Sequence, residues 1–200
     1  MKPILLVLLF IALKSCVNGI SIDNRDLQRY SEICDLYPKE FVNHLPGLMD
    51  GKVKRMEFKY PRGNYLNYIH LIMSFSKEQI DSIKQYAKTN AIRCYSFNDS
   101  CLYMVDHDPQ LYQGAIVLHH CKDFESLLPV SNFSFCVGPH LPHNFYKEAV
   151  IYLLSAKSGK FLCDNSLSMD GVGLSENWRH GYTKGMAISG RTVAYWLEVW

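Results

Sequence analysis

The closing stretch of the chain, YTKGMAISGRTVAYWLEVW (residues 182–200), constrains the fold more than any other. It reads as two strands joined at Gly190-Arg191. In the second strand Val193, Tyr195, Leu197 and Val199 share one side, and Ala194, Trp196 and Trp200 share the other. Glu198 is the only charged residue there, so both faces are mostly apolar. Such a strand belongs inside a sheet that is covered on both sides. A chain that ends in it has its terminus tied down rather than fraying.

Upstream, NRDLQRYSEICDLYPKEFVNHLP begins as an amphipathic helix. Leu27, Tyr30, Ile33, Cys34 and Tyr37 recur at three- and four-residue steps and form one apolar stripe. Pro38 can open a second short turn, which Pro46-Gly47 ends. VKRMEFKYP alternates as a half-exposed strand, PRGN is a turn, and YLNYIHLIMSF is apolar on both faces and predicts an interior strand. Ser76 with Gln79 has the form of a capping box. Behind it, KEQIDSIKQYAKTN places Ile80, Ile83 and Ala87 on one face of a surface helix. AIRCYSF and CLYMVD read as a hairpin around NDS, GAIVLHH as a strand in an irregular middle, and EAVIYLLSAKSGKFL as strand, turn and strand. The expected architecture is a single α+β domain over residues 23–200. It has an antiparallel-rich sheet, an N-terminal helix and one further surface helix.

Behind Lys2, residues 4–13 carry no polar side chain. As a helix that run spans about 15 Å, half the roughly 30 Å hydrocarbon core. It predicts a cleaved export signal rather than a membrane span. Two cuts compete. One removes residues 1–15 and leaves Cys16 at the head of a short tether, residues 16–22; the other follows Val17-x-Gly19 and leaves Ile20. Removing Lys2 and Lys14 takes the balance from 21 basic against 19 acidic residues to 19 against 19. A neutral chain without a Lys/Arg run lacks the electrostatic footprint of a nucleic-acid binder.

Seven cysteines become six once Cys16 is removed or acylated, which permits up to three disulfides in an exported protein. Cys94 and Cys101 flank YSFNDS, and paired strands joined by that turn would bring their sulfurs within bridging reach. His119-His120-Cys121 with His140 and His143 contains metal-ligand residue types. The prolines in HLPH, however, spoil the helix on which spaced histidine ligands depend, so no metal or other cofactor is expected. Cys121 with a histidine is the only candidate for a hydrolase nucleophile, and no hydrolase signature surrounds it, so no catalytic residue is assigned. Asp106 and Asp108 fall on one side of an extended segment but lack the rest of a calcium loop. Asn98 and Asn132 fit the N-glycosylation pattern. In GLSENWRHGYTKG, the residues Trp178, Arg179, His180 and Tyr182 lie where binding loops and interface anchors occur. The same Trp178 could instead plug the end of the sheet.

Leu13-Lys14-Ser15-Cys16 resembles the lipobox of bacterial lipoproteins, with Lys14 as a departure from its small uncharged residue. LYPKEFVNHLP near the start resembles a group of small uncharacterised lipoproteins of Bacteroides-type bacteria, as do AKSGKF, ENWRHGYTKGMAIS and YWLEVW at the end. The resemblance implies a bacterial envelope protein held to the membrane by acyl chains on Cys16. It brings no catalytic residue with it. The expected role is binding of a protein or ligand partner, immunity to a toxin being one version. A secreted, disulfide-bonded protein and a cysteine/histidine hydrolase are the alternatives.

Overall fold

The computed structural model describes residues 21–59, 66–105, 126–138, 141–169 and 171–200. Cys16, the PRGN turn, Asp106, Asp108, the GAIVLHH strand with His119, His120 and Cys121, and His140 lie outside them. The elements are α1 (Asn24–Cys34), α2 (Lys39–Val42), β1 (Lys52–Lys59), β2 (Asn67–Ser74), α3 (Lys77–Asn90), β3 (Arg93–Ser96), β4 (Tyr103–Met104), β5 (Pro129–Val130), α4 (Phe145–Glu148), β6 (Val150–Ser158), β7 (Gly181–Ser189) and β8 (Thr192–Val199). The fold is α+β and mostly antiparallel. Six strands form one sheet in the order β1-β2-β8-β7-β6-β3, and β4 pairs with β5 in a small parallel ribbon.

Local chemistry sets the helix starts. Asp23 caps α1 by accepting from the backbone N–H groups of Arg25 and Asp26, and Ser76 and Gln79 form the expected capping box on α3. Tyr30 and Ile33 of α1, Phe41 of α2, and Ile80 and Ala87 of α3 are buried against one face of the sheet. That face is built from Ile69, Leu71 and Met73 of β2, Met186 and Ile188 of β7, and the four odd-numbered residues of β8. The opposite face carries Ile72, Ala194 and Trp196, covered by Phe133, Phe135 and Phe145 from the segment between β5 and β6. Each such aliphatic or aromatic side chain removed from water adds about 1.5–3 kcal/mol. A strand sandwiched between two layers therefore gains on both faces.

The β7–β8 hairpin depends on glycine at two places. The β7–β8 hairpin turns over Gly190 and Arg191, with Gly190 at φ +55, the hand that a two-residue hairpin needs. Gly185, opposite Trp196, lets the indole lie on the strand; a Cβ there would stand 2.3 Å from the Tyr152 carbonyl and 2.5 Å from the indole ring.

Two expectations are corrected. β3 and β4 do not form a hairpin: β3 lies beside β6, with Cys94 opposite Tyr152, while β4 belongs to the other sheet. The Cys94–Cys101 bridge that such a hairpin would have allowed fails for that reason. Cys94 is an exposed free thiol, and Cys101 is disulfide-bonded to a partner outside the described residues. The segment KFL is not a strand. Phe161 leaves the sheet and sets its ring edge-on to Phe41 at 5.6 Å and to Tyr182 at 4.8 Å. Cys34, Cys136 and Cys163 are also free, so four of the six cysteines other than Cys16 are unbridged.

Candidate functional site

On the helix-covered face, the turn after α2, residue Asp50, the end of β2 and one side of α3 border an open cleft of about 430 Å³. Its buried floor is Phe75, Met186, Tyr195 and His44, and its rim includes the exposed Asp50 and Tyr86. Gln79 ties the two walls together by donating from Nε2 to the Asp50 carbonyl at 2.5 Å. Asp50 Oδ2 accepts from the Gly47 N–H at 2.7 Å, which fixes the carboxylate at the mouth.

His44 is the distinctive group. It is 6 % exposed, and its Nε2 stands 2.9 Å from the Trp196 carbonyl, which can only accept. Nε2 therefore carries the proton, and Nδ1 keeps a bare lone pair. Nδ1 has no hydrogen-bond partner. Burial pushes the imidazole pKa down to about 3, with the Lys184 charge adding to the effect. The ring is thus neutral at any physiological pH, with Nδ1 itself closed off from solvent. Lys184 itself donates to the Glu40 carbonyl and to Asn43 Oδ1, which anchors α2 to β7. Burial also lowers its pKa.

A second polar cluster lies on the opposite face and is closed. Glu198, fully buried, accepts from Ser131 Oγ at 2.5 Å and meets His70 Nε2 at 2.9 Å. The His70 ring is stacked between Tyr68 at 4.4 Å and Phe135 at 4.0 Å. Ser131 Oγ also accepts from the Phe133 N–H at 3.1 Å, which holds Phe133 in the left-handed region at φ +55, unusual for a bulky residue. Arg55 fastens the far end of this segment by donating to the Val137 carbonyl at 2.9 Å. A serine, a histidine and a glutamate suggest a hydrolytic triad, but the hydroxyl donates to the carboxylate rather than to the imidazole. No activated nucleophile results. The cluster instead clamps the covering segment onto the sheet.

The thiols of Cys34, Cys94 and Cys136 are not activated either. Burial raises Cys34 to about 11 and pushes Cys94 and Cys136 up as well. Among the described residues, no three His, Cys, Asp or Glu side chains could hold a metal ion, and no helix is long and apolar enough to cross a membrane.

The anticipated interaction loop divides. The Trp178 carbonyl accepts from Trp200 Nε1 at 2.8 Å and its half-buried ring packs 6.4 Å from that indole, so Trp178 plugs the end of the sheet. Arg179 is exposed and donates to the Met169 carbonyl at 3.2 Å. The His180 carbonyl accepts from Gly159 N–H. Tyr182 lies in β7, buried on the helix-covered face, stacked 4.2 Å from Phe41 and bonded to Ser155. The four residues therefore do not share one surface. His44 had no visible signal in VNHLP, since its partner Trp196 is 152 positions away. Glu198 did carry one, as the lone charge in an apolar strand. No protein-family model, curated protein or solved structure matches this chain.

Proposed function

We propose that the chain is an exported, non-enzymatic binding domain whose ligand enters the cleft between α3 and the sheet, and that acyl chains on Cys16 hold it to a bacterial envelope. The observation that supports the binding role is the cleft itself: an apolar floor of Phe75, Met186 and Tyr195 beneath a rim that carries the Asp50 carboxylate. A mostly apolar pocket with few fixed polar groups is how small-ligand sites are built. The anchoring role rests on the lipobox-like sequence before Cys16.

The binding role is tested by ligand-observed NMR with a small-fragment library on the mature chain. Ile83→Trp serves as the control, because Ile83 is half-buried on the cleft wall and a larger ring there fills the space. Fragments should bind the native chain and lose binding in a folded Ile83→Trp variant; equal binding to both, or none to either, removes the cleft reading. Intact mass decides the anchor separately. A mature chain beginning at unmodified Ile20 ends that part of the proposal.

A further inference from the structure

The lining of the cleft has a chemical bias, and it narrows the ligand. The Asp50 carboxylate stands at the rim with one oxygen taken by the Gly47 N–H, which leaves the other for a ligand. Phe75, Tyr86 and Tyr195 present three aromatic rings, whose faces are electron-rich. His44 in the floor is neutral and so does not compete as a cation. No Lys or Arg is among the described lining residues, and the nearby Lys184 is held by Glu40 and Asn43 instead.

We infer that the cleft selects a small amine: an apolar, ring-sized body lying on Phe75, Met186 and Tyr195, with its ammonium at the Asp50 carboxylate beside the Tyr86 ring. The inference rests on the cleft being a ligand site. A carboxylate and aromatic faces both stabilise an ammonium, by charge pairing and by the ring quadrupole. An acid of the same shape would meet the Asp50 charge and find no cation in return. The floor area suits one ring and a short chain, since about 430 Å³ lies at the small end of ligand pockets.

Three probes with the same phenylethyl body separate the outcomes: 2-phenylethylamine, 2-phenylethanol and 3-phenylpropanoate, each titrated into the mature chain and followed by NMR shifts. The amine should bind at least about tenfold more tightly than the alcohol, and the acid should not bind measurably. Asp50→Asn keeps an oxygen for the Gly47 N–H, so it should fold normally and cut the amine preference to under about threefold. Alcohol and amine binding equally, acid binding best, or an Asp50→Asn variant that keeps its preference would each overturn the amine assignment while the cleft remains a ligand site. If none of the three binds, the amine assignment falls, and the fragment screen with Ile83→Trp decides the cleft reading separately.

Discussion

Acidification should weaken this protein through His44, and the size of the effect follows from its burial. The folded pKa of about 3 lies below the ordinary value of 6.5. Between those two values the unfolded chain holds a proton that the folded chain refuses, so stability rises with pH. The contribution is complete above pH 6.5 and is lost as pH falls toward 3. Each unit costs about 1.4 kcal/mol, so at pH 4.5 the loss from this one residue is roughly 2–3 kcal/mol. Set against a typical total of about 5–15 kcal/mol, that is a large share. His44→Gln isolates the effect, because a glutamine amide can still donate to the Trp196 carbonyl but does not titrate. Urea unfolding of both proteins at pH 7.5 and 4.5, followed by the fluorescence of buried Trp196 and Trp200, gives the double difference. All other titrating groups are shared and cancel. The native chain should lose roughly 2–3 kcal/mol more than His44→Gln over that interval. Parallel losses in the two proteins, or a greater loss in the variant, would refute the buried-neutral description of His44.

Three further outcomes are expected. Ser131→Ala withdraws a donor from the buried Glu198 carboxylate and an acceptor from the Phe133 N–H, so urea unfolding should show a loss of about 1–3 kcal/mol; an unchanged midpoint would mean that the clamp is not made. Gly185→Ala drives a Cβ into the Tyr152 backbone carbonyl and the Trp196 ring, and should cost roughly 3 kcal/mol or more, read as lost soluble expression or a collapsed thermal transition. Iodoacetamide with mass mapping under non-reducing, native conditions should tag the exposed Cys94 and Cys163 and spare buried Cys136 until denaturant is added. A Cys94 found joined to Cys101 would contradict the strand pairing.

What the sequence determined by itself was local. The alternation of residues 193–199 assigned the apolar side chains of β8 to their faces, and the two larger hydrophobic clusters divide along that line, with Trp200 in a third. Ser76 with Gln79 placed the start of α3, because a cap acts over three residues and needs nothing distant. Only the tertiary structure decided which strand β3 joins. A four-residue strand carries too little pattern to choose a partner, and the nearer CLYMVD segment offered pairing with a shorter loop than the one β6 requires. Cys94 took its free state from that choice. The same holds for both polar sites: His70 reaches Glu198 across 128 positions because the β2–β8 register sets them near each other, and His44 reaches Trp196 across 152. Periodicity tells a residue which face it occupies, while register and layer packing tell it what stands opposite. Those depend on free energy summed over the whole sheet, and no short window of sequence contains it.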